Sequence, residues 1–277
     1  MAESKFFTAK VVEEKTTMIT GLGMENCYLV EGTERALLID TLTGVGSLKA
    51  FVRELTDLPL TVVNTHGHVD HCGSNFEYGE CLIHPDDVRL MYQHSDEKMR
   101  MGFVMSMQRG RDIVLTDEDV IPSCPIKTFP AYGGDVFDLG GRQIEVIAVP
   151  GHTRGTIVLL DRALRIVFSG DACNANTLLI DTGVSIEEYR ESLVGFKSFM
   201  PAYDKLYGGH GPTFVPASIV DEGIELCSEI IAGTDDADPG NFMNRECLYG
   251  KKRVNGFQRE DGKICNIAYT KDSILKK

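Results

Sequence analysis

Apolar runs that close in polar, glycine-bearing turns recur along this chain, and they predict strands with short connections. Residues 9–13, 27–31 and 36–39 read as antiparallel strands, with a turn at Glu31, Gly32, Thr33 and Glu34. Residues 60–64 form a short β-branched run of the kind found in a buried strand. Further apolar stretches lie at 143–148, at 164–168 and around Leu206. Helical spacing marks residues 47–56. Ser185 followed by Glu188 is a capping-box signal for a helix running to about Phe199, and residues 216–233 read as another helix. No short-period repeat or low-complexity tract interrupts the pattern.

Two segments depart from it. Residues 85–125 open with Pro85, Asp86 and Asp87, a good helix start, and contain Met91, Met99, Met101, Met105 and Met107, with Tyr92 and Phe103 among them. Methionine adapts to irregular apolar shapes, so this segment suits a lid or pocket wall; the alternative is a helix packed on the core or on a second subunit. Arg100, Arg109 and Arg111 would either meet an anionic group or stay solvated. His84 reads as a helix-start residue and His94 as a lid or surface side chain. Residues 234–240, acidic and holding Pro239 and Gly240, read as a linker. Beyond it, residues 246–257 and 263–269 predict a β-hairpin too small to stand alone. The expected organisation is one domain over 1–235 with a helical insertion at about 85–125, then a linker and β-hairpin extension over 236–277.

Composition narrows the function. With 277 residues, 43% of them apolar, the chain can bury one large core. No stretch of about 18 consecutive apolar residues is present, so no transmembrane span is expected. The first residues lack the apolar segment of a signal peptide. Eight scattered cysteines without a C-x-x-C pair read as reduced thiols, and a cytoplasmic location is the expectation. The net charge of −13, from 28 basic and 41 acidic side chains, gives a field that repels nucleic acid. A small-molecule substrate is expected, with no nucleic acid and no membrane as partner.

The chemistry concentrates in Thr65-His66-Gly67-His68-Val69-Asp70-His71, which places three imidazoles and a carboxylate within six positions of a chain that has seven histidines. Imidazole nitrogen and carboxylate oxygen are the donors that hold a divalent metal at neutral pH. The alternative, a polar surface loop, fits poorly with the buried strand before it and with the small residues Cys72, Gly73 and Ser74 after it. His66 and His68 point to one side of an extended segment, whereas Asp70 and His71 begin a turn that can face a second position. Three later strand ends add one ligand-type residue each: His152, Asp171 and His210. Singly each would be a turn or cap residue; together they use five of the seven histidines and two aspartates. Two divalent ions about 3.5–4 Å apart would share a water and bring its pKa towards 7, which makes metal-assisted hydrolysis the reaction class. Asp70 has two roles open to it, ligand and proton shuttle. Cys72 and Cys173 lie near enough in sequence to be thiolate ligands or small buried turn residues. Asn174 or Asn176 is a candidate hydrogen-bond donor to substrate, and Asp40 either supports the site or ends its strand.

This ordered series resembles the metallo-β-lactamase superfamily over roughly residues 8–235. The resemblance implies an α/β fold, a four-layer αββα sandwich in which two ββα halves hold the metals at one edge. It implies His66, His68 and His152 as ligands of a first metal, Asp70, His71 and His210 as ligands of a second, and Asp171 as the bridging carboxylate. The implied cofactors are two divalent ions, zinc first, with manganese or iron as alternatives. The implied activity is hydrolysis of an ester, lactone, thioester, amide or phosphoester by a metal-bridging hydroxide, with Asp70 catalytic. Persulfide dioxygenases of the same superfamily give the alternative, a single iron at positions resembling His66, His152 and Asp171. A non-catalytic scaffold is the third class. The tail does not resemble the glutathione-binding helical extension of glyoxalase II. A homodimer through the hairpin or the methionine-rich segment is left open.

Overall fold

Strand alternation sorts the side chains onto two faces of each sheet. A computed structural model describes residues 2–107, 113–256 and 258–276 of the protein. Arg109 and Arg111, and Phe257 of the expected hairpin, lie outside the described residues. The first sheet runs in chain order: β1 (Ala2–Glu3), β2 (Thr8–Glu13), β3 (Thr16–Thr20), β4 (Asn26–Glu31), β5 (Ala36–Ile39), β6 (Leu60–Val63), β7 (Glu80–Ile83) and β8 (Lys127–Pro130). Neighbours are antiparallel as far as β5 and parallel from β5 to β8. The second sheet holds β9 (Val136–Asp138), β10 (Gln143–Ala148), β11 (Ile157–Asp161) and β12 (Ile166–Gly170). After β13 (Thr177–Leu179), which joins a different sheet, come β14 (Lys205–Gly208) and β15 (Val215–Pro216), in the order β15-β14-β12-β11-β10-β9.

Parity then fixes the layers. Tyr28, Val30, Leu37 and Ile39 of the first sheet meet Ile157, Leu159, Ile166 and Phe168 of the second in one buried cluster. Residues of the opposite parity, Cys27, Leu29, Ala36 and Leu38, pack on Leu48, Phe51 and Val52 of α1 (Leu48–Leu55). The short helices α2 (Val69–Cys72) and α3 (Asn75–Tyr78) follow, then α4 (Pro85–Gln93) and α5 (Glu97–Met107). On the far side, Val158, Leu160 and Val167 meet Tyr189, Leu193 and Phe196 of α6 (Ile186–Lys197) and Leu226 and Ile230 of α7 (Ile219–Ala232). The result is the expected helix–sheet–sheet–helix stack, with the central strands β4, β5, β11 and β12 buried on both faces. The expected capping box forms: Ser185 Oγ accepts the Glu188 N–H at 3.1 Å, and Glu188 Oε2 accepts the Ser185 N–H at 2.8 Å.

The tail differs in detail from the sequence expectation. β16 (Asp238–Phe242) and β17 (Arg245–Tyr249) form a hairpin whose two turn residues, Met243 and Asn244, both have positive φ, the twist a two-residue connection needs. Residues 238–240, read from sequence as linker, are therefore strand. Pro239 is tolerated because β16 is the edge of its sheet, where one side of the backbone has no partner strand. After β18 (Arg253–Val254) and β19 (Gln258–Arg259), β20 (Ile267–Tyr269) pairs antiparallel with β17 and parallel with β13. The tail thus completes a four-stranded sheet with a strand from the second half.

Arg100 of α5 is neither solvated nor aimed at an anion. It is fully buried, its guanidinium donating to the carbonyls of Gly44, Gly73 and Ile121 and to Ser123 Oγ, with the Phe76 ring 5.5 Å away. It pins α5 to the end of α2. Among the described residues, no helix is long and apolar enough to cross a membrane.

Candidate metal centre

Strand ends at one edge of the sandwich bring the seven sequence-expected side chains together. His66, His68, Asp70 and His71 follow β6, with Asp70 and His71 on α2; His152 follows β10, Asp171 follows β12 and His210 follows β14. Three sets have ligand atoms within 4.8 Å of one another: His66, His68 and His152; His66, His71 and Asp171; Asp70, His71 and His210. His68 Nδ1 lies 2.8 Å from His152 Nε2, and His210 Nε2 lies 2.9 Å from Asp70 Oδ2. Asp171 Oδ2 is 3.7 Å from His152 Nε2, 3.9 Å from His71 Nε2 and 3.6 Å from His210 Nε2, between the outer pairs.

Neighbouring groups orient the rings. Asp40 stands in the left-handed backbone region at φ 64°, and its buried carboxylate accepts from Thr65 N, Thr65 Oγ1 and His71 Nδ1 at 2.7, 2.7 and 2.8 Å. Thr65 spends its hydroxyl proton on Asp40, because a carboxylate only accepts. His66 Nδ1, 3.1 Å from that hydroxyl, is therefore the donor. His152 Nδ1 donates to the Leu178 carbonyl at 2.9 Å. These bonds point Nε2 of His66, His71 and His152 inward. His66 Nε2, His71 Nε2 and Asp171 Oδ1 are buried with no hydrogen-bond partner among the described residues. A buried donor or acceptor left unpaired costs about 1–3 kcal/mol, and a divalent cation would satisfy all three. Space is tight as well: a Cβ on Gly209 would stand 2.5 Å from His71 Cε1 and 2.7 Å from Asp171 Oδ1, so only glycine lets that backbone pass.

The electrostatics fit the same group. Burial, and then the neighbouring imidazoles, hold His66 and His68 well below the usual histidine range, as neutral donors. Burial alone would lower His71, but Asp40 and Asp70 outweigh it and push the ring up to about 9. His210 is likewise raised against burial to about 10 by Asp171 and Asp70. Asp70 is held far below the carboxylate range by His71 and His210, again against burial. A divalent cation bound there would compete with protons for His71 and His210.

Other residues named from sequence sit elsewhere. Cys72 donates to the His66 carbonyl at 3.1 Å, its thiol pushed up by burial, and Cys173 faces the Ile219 carbonyl at 3.7 Å. Neither joins the converging sets. Asn174 Oδ1 accepts the Asn176 N–H and so closes its own turn. His84 Nδ1 accepts the Asp86 N–H at the start of α4, as expected. His94 is a correction in part: its ring stacks on His68 at 5.3 Å, beside the centre. Sequence reasoning also passed over Glu25 and Asp87. Glu25 is fully buried, accepts from Thr43 N and Oγ1 and is raised by burial; Asp87 looked like an ordinary first-turn acid.

Comparison with known proteins follows the same lines. The pattern that defines the Metallo-beta-lactamase superfamily matches residues 20–210. The chain is similar to the acyl-coenzyme A thioesterase MBLAC2 of Gallus gallus, 31% identical over 163 residues, 53% of this chain and 56% of that protein. The Homo sapiens protein of the same name is 29% identical over 175 residues, covering 56% and 60% respectively. The match thus spans less than two thirds of the length of these relatives. The metallo-β-lactamase FIM-1 from Pseudomonas aeruginosa, solved in a mono-zinc form, superposes with a TM-score of 0.57 at 16% identity, over 83% of this chain and 99% of its own. That likeness speaks for the fold alone.

Proposed function

The chain belongs to the metallo-beta-lactamase superfamily, and from that premise we propose that it is a metal-dependent hydrolase of a small acyl compound, a thioester first. The convergence of three buried, unpartnered ligand atoms on one point carries the reading. Similarity to two acyl-coenzyme A thioesterases supports the choice of thioester within it. His66, His68 and His152 would hold one divalent ion and Asp70, His71 and His210 a second, with Asp171 between them. Zinc is the first choice, with manganese or iron next.

Bound there, such a pair would supply a Lewis acid for the acyl oxygen and would lower the pKa of bound water towards about 7. The protein's own groups do the rest. Asp40 and the Leu178 carbonyl fix two of the rings. His210, the most exposed of the three rings around Asp171, would lie nearest an entering substrate. Asp70, beside His210 in the proposed ligand set, would take the proton from the attacking water and pass it to the departing sulfur. The water oxygen joins the acyl carbon, the carbon–sulfur bond breaks, and a carboxylic acid and a thiol leave.

The test is thiol release from an acyl-coenzyme A thioester by the purified protein, before and after chelation and again after zinc is restored. Release that vanishes with the cation and returns with it is the expected result. One iron per chain, oxygen consumption on a persulfide and no thiol release would overturn the proposal.

A further inference from the structure

We infer that Asp87, on the first turn of α4, is the positioning residue that holds His66, His68 and His152 in register for one cation. This rests on the ligand assignment proposed above. The Asp87 side chain is buried, and among the described residues the hydrogen bonds it accepts come from the two loops that carry those histidines. Its Oδ2 accepts the N–H of Gly67, the residue between His66 and His68, at 2.8 Å. The same oxygen accepts the Thr153 hydroxyl at 2.6 Å, one residue beyond His152, and Oδ1 accepts the Gly155 N–H at 2.9 Å. One carboxylate therefore ties together segments 84 positions apart in sequence, as measured between His68 and His152.

The arrangement is specific to this carboxylate. Thr153 has to donate to Asp87, since a carboxylate only accepts; its own oxygen then lies 2.8 Å from Thr156 Oγ1, which in turn accepts the Thr153 N–H at 2.9 Å. That chain of bonds sets the turn after His152. Gly155 has to be glycine, because a Cβ there would come within 2.7 Å of the Asp87 carboxylate. The first turn of α4 favours a negative charge at this position, and three neutral donors share it, so no counter-ion is needed. A hydrogen bond from Ile157 N to the Thr65 carbonyl at 2.9 Å joins the same two segments lower down. It leaves the tips bearing His68 and His152 to Asp87.

Asp40 does the corresponding work on the other side, under His71. The two buried carboxylates differ in reach: Asp87 braces the turns that carry His68 and His152, whereas Asp40 holds His71 directly and His66 through Thr65. Loss of Asp87 should therefore weaken one cation position and spare the other.

Zinc affinity measured by competition with a chromogenic chelator, with zinc per chain counted by elemental analysis, tests this. The two positions are separated by working in two backgrounds, His210→Ala, which keeps the first, and His68→Ala, which keeps the second. Asp87→Asn keeps the side-chain size but sets an amide against one of the donors. The expected result is at least about tenfold weaker zinc binding in the His210→Ala background and less than about threefold in the His68→Ala background. Equal losses in both backgrounds, or no loss in either, would overturn the inference. If Asp87→Asn does not fold, Thr153→Val removes a single donor and should move the affinities the same way, with Thr153→Ser restoring them; Thr153→Val without that selectivity overturns it too. A wild-type chain that takes up no zinc sinks the metal reading itself, an outcome distinct from an unselective Asp87→Asn.

Discussion

Asp40 and His71 face each other across a 2.8 Å hydrogen bond in which a residue held in the left-handed backbone region fixes the ring beside two other carboxylates. Strained backbone of this kind persists where the surroundings over-determine it, and here Thr65 adds two more bonds to the same carboxylate. Asp40→Asn should leave the fold intact, yet present an amide N–H to a ring N–H. The expected outcome is a loss of about 10–100-fold in zinc affinity or turnover, read by chelator competition and thiol release with circular dichroism unchanged.

His68→Ala removes a donor from one end of the cluster, and Asp171→Ala removes the carboxylate between its outer pairs. His68→Ala should lower zinc affinity at the first position, Asp171→Ala at both, and each should lower hydrolysis by at least about tenfold. Elemental analysis alongside activity checks this, and a variant that loses its metal while keeping wild-type turnover would refute the metal assignment.

Arg100 offers a stability test away from the chemistry. Its guanidinium is a donor to the buried carbonyls of Gly44 and Gly73 and holds α5 against them. Arg100→Met keeps much of the volume but strips the Gly73 and Ile121 carbonyls of this donor, while Gly44 keeps the Ile121 N–H. A loss of about 3 kcal/mol is expected from urea denaturation, with faster proteolysis within α5 than elsewhere in the chain.

Acid should reach α6 through its cap. Glu188 is held below its ordinary 4.5, chiefly by the Ser185 N–H. A carboxylate with a lowered folded pKa contributes stability that is present above 4.5 and lost as pH falls through the folded value. Glu188→Gln has nothing to protonate. Wild type should therefore be the more stable of the two at neutral pH, and thermal melting should show the difference narrowing below pH 4.5. Ser185→Ala should cost about 1 kcal/mol at neutral pH.

Much of the architecture was legible before any coordinates. The strands at 27–31 and 36–39 could be read from their apolar runs, whereas β11 (Ile157–Asp161), buried on both faces, went unread and only the structure sorted its side chains between layers. The capping box at Ser185 marked its helix, and the ligand-type residues at strand ends formed a recognisable series. Pro239 misled, because a proline signals a break unless the strand is known to lie at an edge.

Periodicity and turn chemistry are local, repeating over two to four residues, so the linear chain by itself determined most of the strands, the helix starts and the set of side chains able to hold a cation, while the layers came from the family resemblance. Which groups support them is decided by partners far apart: Asp40 with His71, Arg100 with Gly44, Asp87 with Thr153 and Gly155. Nothing in the neighbourhood of Asp87 distinguishes it from the exposed Asp86 beside it; only the packing of α4 across two loops turns one of them inward. Tertiary structure alone decided those pairings, because a buried carboxylate finds its donors only after the elements that carry them have closed around it.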